Sequence, residues 1–119
     1  MSIRSINAVT LTTSNMKRAV KFYTTIGFEL PKGGMHEGFT TFKVGESQFL
    51  NITDEGSNNR VSWWGRLIIY VSNVDELYEH ILKQGIASDF APRNAPWSER
   101  YFHITDPDGH EISFAQRIN

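Results

Sequence analysis

The chain has 119 residues, of which 39% are hydrophobic and 13% aromatic, enough apolar surface for one domain with a real core. Its 12 Lys+Arg against 13 Asp+Glu exclude a strongly basic nucleic-acid binder and an acidic disordered tail, and the absence of Cys excludes disulfide scaffolds, thiolate zinc sites and cysteine nucleophiles. The start, Met1-Ser-Ile-Arg-Ser-Ile6, has no apolar core of signal-peptide length, and no stretch approaches membrane-spanning length. A small soluble cytoplasmic protein with no nucleic-acid and no membrane partner is expected.

The first patterned segment, residues 9–28, reads VTLTTSNMKRAVKFYTTIGF. Val9, Leu11 and Thr13 alternate as on a strand, and Ser14-Asn15 then stops the strand and offers a helix N-cap. Met16, Ala19, Val20 and Tyr23 follow at helical spacing, and Gly27 stands where a C-cap glycine belongs. Two strand-like runs come next, FTTFKV at 39–44 and QFLNIT at 48–53, separated by the turn Gly45-Glu-Ser47. A polar connector leads to residues 67–86, LIIYVSNVDELYEHILKQGI, which repeat the opening segment at one constant offset. Ser14, Asn15 and Gly27 return as Ser72, Asn73 and Gly85, and the apolar positions match as well. Asn73-Val-Asp-Glu76 adds capping-box spacing to the second helix. The chain closes with RYFHIT at 100–105 and HEISFAQ at 110–116 around Asp106-Pro-Asp-Gly109, a strong hairpin signal. An α+β fold of two tandem βαβββ modules is expected, with the first at about 6–55, a connector at about 56–65 and the second at about 66–117.

This duplicated unit resembles the vicinal oxygen chelate superfamily, which holds glyoxalase I, bleomycin-resistance proteins, fosfomycin-resistance enzymes and extradiol dioxygenases. The motifs that carry the likeness are AVTLTTSNMKRAVKFYTTIGF at 8–28, the repeat at 67–86 and RYFHITDPDGHEISF at 100–114. The resemblance implies a cupped, mostly antiparallel sheet around a small-molecule cavity, with the helices outside. It also implies four positions from which metal-dependent members hold a divalent ion through His or Glu. Those positions fall here on Ala8, Asn51, Arg66 and Ser113, none of which is a good ligand, and Arg66 would repel a cation. No metal and no cofactor are therefore expected, and the metal-dependent reactions of the superfamily lose their basis.

The four histidines are then weighed one at a time. His110 and Glu111 are neighbours on a strand and point to opposite faces, His80 lies off the apolar stripe of its helix, and His36 sits in the Gly-rich run KGGMHEG. His103 depends on the hairpin. A three-residue loop at 107–109 sets Asp106 opposite His110 and His103 opposite Ser113, facing the cavity, whereas a four-residue loop turns Phe102 inward instead. His103 then reads either as a histidine hydrogen-bonded within the sheet or as a ligand-contacting acid or base. Arg66 reads either as a salt bridge to Glu99 or Glu111, or as an anion site flanked by Ile68 and Tyr70. Asn51 and Ser113 could hydrogen-bond the same ligand. The stretch 91–101 reads as an irregular, proline-stiffened loop whose Trp97 rims the cavity, covers the sheet end or packs in a dimer. Alternation along a strand sends one ring of the Trp63-Trp64 pair inward and the other outward.

Two functions of different class follow. The first is binding of a small anionic or carbonyl-bearing organic molecule in a metal-free cavity, through Asn51, Arg66, Tyr70, Trp97, His103 and Ser113. Bleomycin, a cation, does not suit Arg66. The second is a metal-independent lyase or isomerase with His103 as acid or base and Arg66 stabilising an oxyanion. A metal-dependent glyoxalase or dioxygenase ranks below both. A homodimer is expected, because superfamily modules often pair across chains and three Trp leave apolar surface to cover.

Overall fold

A computed structural model describes residues 1–56 and 60–119. The chain divides into two compact units, Met1–Arg60 and Val61–Asn119. The expected connector is thereby split. Residues 57–59 lie outside the described residues, and Val61 onward belongs to the second unit, where the Val61 amide donates to the Asp108 carbonyl at 2.9 Å.

In the first unit, β1 (Ala8–Thr13) runs parallel to β4 (Gln48–Asp54), and β3 (Phe39–Val44) and β2 (Glu29–Lys32) follow antiparallel, in the order β1-β4-β3-β2. Helix α1 (Met16–Ile26) buries Met16, Ala19, Val20, Tyr23 and Ile26, and the Tyr23 ring meets Phe42 at 5.6 Å. The core also takes in Leu11, Leu50 and Ile52.

The second unit repeats this arrangement. β5 (Arg66–Tyr70) is parallel to β8 (Glu111–Arg117), and β7 (Glu99–Thr105) and β6 (Arg93–Ala95) complete the order β5-β8-β7-β6. Helix α2 (Val74–Lys83) covers one face, with Val74 and Ile81 fully buried and Tyr78 edge-on to Phe102 at 5.5 Å. Each unit is a βαβββ module, as expected, and its four strands form a mixed sheet with one parallel pair. Among the described residues, no helix is long and apolar enough to cross a membrane.

The helices begin for the same local reason. Asn15 and Asn73 hold nearly identical extended backbones, with φ −155° and −146°, and their side chains accept from the amides of Arg18 at 3.0 Å and Glu76 at 3.1 Å. Each cap satisfies one of the amides that a helix start leaves without a partner. Gly27 and Gly85 follow the helices at φ +128° and +78°, where a side chain would be strained.

Two expectations need correction. The stretch 91–101 is not wholly irregular, because Arg93–Ala95 pairs with β7 as an edge strand and Trp97 lies in the turn between them. Pro92 and Pro96 flank that strand rather than interrupt it, which an edge tolerates. Trp63 and Trp64 precede β5 and lie in no strand, so alternation does not govern them. Gly65, at φ +125°, breaks the extended backbone just before Arg66.

The Asp106–His110 turn is built with three loop residues. The Asp106 amide donates to the His110 carbonyl at 2.8 Å, and the Gly109 amide donates back to the Asp106 carbonyl at 3.0 Å. The Asp106 carboxylate also accepts from the amides of Asp108 and His110 at 2.9 and 2.8 Å. Gly109 sits at φ +99°, and a Cβ there would lie 2.9 Å from the Val61 carbonyl oxygen. Gly109→Ala should therefore cost roughly 1–3 kcal/mol, through strained backbone and displacement of the 61–65 segment. Urea unfolding measures this, and a variant as stable as the parent would refute the account.

On the helix side, Arg100 of β7 holds Asp75 of α2 through Nε at 2.9 Å and Nη2 at 2.9 Å. The Arg100 hydrogen bonds keep the Asp75 carboxyl below its ordinary value of 3.8. A depressed folded pKa means that this stabilisation is complete above the unfolded value and is lost as pH falls through the folded one. Parent stability should fall more steeply below about pH 4 than that of Arg100→Met. Denaturant midpoints measured from pH 2 to 6 decide it, and parallel curves would remove the claim.

Candidate functional site

Cross-strand partners share a face of a sheet, so the β5-β8-β7 register assigns each side chain to a side. Leu67, Ile69, Phe102, Ile104, Ile112 and Phe114 share the face toward α2. The other face reads in successive rows as Arg66–Glu111–Thr105, Ile68–Ser113–His103 and Tyr70–Ala115–Tyr101. His103 stands directly opposite Ser113, as the three-residue loop requires.

At one end of this open face is a charged cluster. Arg66 Nε donates to the Glu111 carboxylate, and the guanidinium lies 5.7 Å from the Trp63 ring centre. His103 Nδ1 is 3.9 Å from Glu111 Oε2, and its side chain is 13% exposed. Burial pushes the His103 imidazole below its usual range; Glu111 and Asp89 oppose this, while Arg66 and Arg93 reinforce it. Burial alone would raise the Glu111 carboxyl, but hydrogen bonds from Arg66 and Trp63 and the charges of Arg66 and His103 hold it below its ordinary value. The imidazole is thus neutral and the carboxylate ionised near neutral pH.

His103 is fixed from behind by the 88–90 loop. The Asp89 amide donates to the His103 carbonyl at 2.9 Å, and Ser88 Oγ donates to it at 3.1 Å. The ring stands edge-on to Phe90 at 5.0 Å and tilted against Tyr101 at 5.3 Å, and Arg93 lies 3.8 Å over the centre of Phe90.

The other end of the second unit's sheet holds a recess of about 440 Å³ lined by Tyr70, Trp97, Ser98, Glu99 and Arg117, together with chain-terminal residues. Glu99 accepts from the Tyr70 hydroxyl and from Trp97 Nε1, the latter at 3.0 Å, and the Trp97 ring stacks on Tyr101 at 6.1 Å. The expected ligand residues of the second unit thus fall into two groups, Arg66, His103 and Ser113 at one end and Tyr70 and Trp97 at the other. Asn51 belongs to the first unit. Its amide accepts from Thr41 Oγ1 at 2.9 Å and donates to Thr10 Oγ1 at 3.3 Å. His36 and His80 are exposed, and His110 is buried with Nδ1 accepting from Trp64 Nε1 at 2.8 Å.

Sequence reasoning missed Asp89 and underrated Glu111, although their donor atoms and that of His103 lie within 4.8 Å of one another. The strand parity that separates Glu111 from His110 also places it beside His103. Asp89 sits in a loop with no periodicity to reveal it.

The residues at the four metal positions implied by the resemblance do not fit an ion. Ala8 has no donor, Asn51 is engaged by two threonines, Arg66 is a cation paired with Glu111, and Ser113 offers only a hydroxyl.

The family model described as Glyoxalase/Bleomycin resistance protein/Dioxygenase superfamily matches residues 5–114. The chain is 30% identical over 126 residues to a bleomycin resistance protein of Geobacillus stearothermophilus, covering 91% of this chain and 93% of that one. A bleomycin resistance protein of Staphylococcus aureus strain MRSA252 matches to the same extent. Among solved structures, a member of the same superfamily from Sphaerobacter thermophilus DSM 20745 is similar with a TM-score of 0.78 at 22% identity, covering 97% of this chain and 98% of that one. A lactoylglutathione lyase from Agrobacterium tumefaciens reaches a TM-score of 0.76 at 19% identity, covering 98% and 96%.

The electrostatics of the cluster can be tested with His103 as reporter. Glu111→Gln removes a charge that favours the imidazolium and should lower the His103 pKa further, whereas Arg66→Met should raise it. Imidazole chemical shifts followed against pH give both values, and identical titrations in parent and variants would show that these groups do not sense one another.

Proposed function

For a chain that belongs to the Glyoxalase/Bleomycin resistance protein/Dioxygenase superfamily, we propose that it binds a small anionic or carbonyl-bearing organic molecule, without an ion at the four positions used by metal-dependent relatives. The observation that carries the reading is the open face of the second unit. Polar donors stand at one end and an aromatic recess at the other, on the side away from α2. Arg66 and Tyr70 are separated by four residue steps, about 13 Å along a strand. An elongated, partly planar molecule spans that length. Its flat part would lie against Tyr70 and Trp97, and its carbonyl or carboxylate would meet Arg66, His103 and Ser113. The pair with Glu111 uses Nε of Arg66, and the guanidinium has further N–H groups to offer an oxygen.

The curated relatives are named for resistance to bleomycin, a cationic drug. Arg66, Arg93 and Arg117 lie on or beside this face together with Glu99 and Glu111, and it is the unused N–H groups of Arg66 that favour a carbonyl or carboxylate oxygen. The reading includes the homodimer expected from the resemblance, in which exposed Ile68 and Tyr70 would be covered. A lyase or isomerase using His103 and Arg66 ranks lower. At 3.9 Å no carboxylate hydrogen bond orients His103 as a base.

A thermal-shift panel of aromatic carboxylates, aromatic ketones and bleomycin tests the proposal. A ligand at a hundred times its Kd adds about 2.7 kcal/mol of stability, so the carboxylates or ketones should raise Tm by several degrees and bleomycin should not. Arg66→Met and Tyr70→Ala should each abolish the shift while leaving the ligand-free Tm close to that of the parent. A shift only with bleomycin, or none with any compound, would overturn the reading.

A further inference from the structure

We propose that Asp89, His103 and Glu111 form a binding site for one divalent first-row metal ion, wholly within the second unit and apart from the four positions implied by the resemblance. Three elements supply the donors: the loop before β6, strand β7 and strand β8. Their ligand atoms lie within 4.8 Å of one another. An ion with bonds of about 2.0–2.2 Å spans donor separations of roughly 3–4 Å. Closing the set therefore needs side-chain movements of about one ångström. Asp89 is exposed and Glu111 has a flexible stem, so both can make them.

The backbone is prepared for this geometry. The Asp89 amide is tied to the His103 carbonyl, which holds the loop backbone beside β7. Ser113, 3% exposed, stands opposite His103 on the same face, beside the three donors. One imidazole and two carboxylates suit Mn, Fe, Co or Zn rather than the softer thiolate-seeking ions.

Arg66 is the competitor. Its guanidinium neutralises Glu111, and its side chain is 40% exposed, so it can swing away when an ion takes the carboxylate. Glu111 would exchange one cation for another. Ion and guanidinium are thus mutually exclusive partners, and this sets a sign that ordinary damage to the fold cannot imitate.

The inference goes beyond the ligand reading, and its test contains no organic ligand, so either can fail alone. Protein stripped with chelator is titrated with Co2+ by visible absorption and with Zn2+ by calorimetry. One ion per chain is expected. Asp89→Asn should weaken binding at least tenfold and His103→Ala should abolish it, whereas Arg66→Met should tighten it about tenfold. Circular dichroism confirms that the variants fold, and Asp89→Asn, at an exposed position, serves should His103→Ala fail to do so. No saturable uptake, uptake that Asp89→Asn retains in full, or an Arg66→Met variant that binds no more tightly than the parent would each overturn the proposal.

Discussion

Everything placed on the open face of the second unit depends on the number of residues in one turn. Asp106 closes that turn with its amide, its carbonyl and its carboxylate, and Gly109 supplies the positive φ that a three-residue loop needs. A slip of one residue in a hairpin exchanges the two faces of a strand. With one more loop residue, Phe102 would enter the charged cluster and His103 would lie against α2. The buried Asp106 therefore acts on chemistry some distance away without touching it. It decides that His103, Ser113 and Glu111 share a side.

Once that side is fixed, the cluster is governed by competition for Glu111. Arg66 and Trp63 donate to it, and His103 lies near enough to feel its charge without a hydrogen bond. Desolvation and the two arginines outweigh the attraction of Glu111 and Asp89, so the imidazole stays neutral. A neutral imidazole is able to accept a hydrogen bond or bind an ion, and an imidazolium is able to do neither. The carboxylate is held by a guanidinium that is itself partly exposed and replaceable. The polar end of the face is therefore poised for exchange of partners, in contrast to the aromatic end, where Glu99 ties Tyr70 and Trp97 into the wall of a recess.

Much of the fold was legible because its signals are local. The Asn15 and Asn73 caps, the apolar helical stripes, the two glycines after the helices and the Asp-Pro-Asp-Gly turn each act over a few residues, and the duplication states each of the first three twice. What escaped prediction was not local. β6 is three residues long and owes its existence to β7 rather than to a pattern of its own. Trp63 and Trp64 lie before β5 and in no strand, which removed the parity argument for both. The place of His103 opposite Ser113 was legible from register alone. The partner of Arg66 was narrowed to two glutamates, of which Glu111 is the one observed. Asp89 could not be found at all, since its nearness to His103 comes from a loop crossing the edge of the sheet.

The duplication also shows how one scaffold separates structure from chemistry. Thr10, Asn51 and Thr41 occupy the same register places in the first unit as Ile68, Ser113 and His103 in the second. In the first unit these polar groups satisfy one another, with Asn51 bridging both threonines across three strands. Such a closed network stiffens a sheet and leaves little free capacity for a ligand. In the second unit the corresponding row has no such three-strand bridge, because Ile68 has no polar atom to join it. Its ionisable neighbours, Glu111 and Arg66, stand where the first unit has Phe49 and Ala8. Differences at a few equivalent places therefore separate a self-satisfied polar row from a charged one, on backbones paired in the same way.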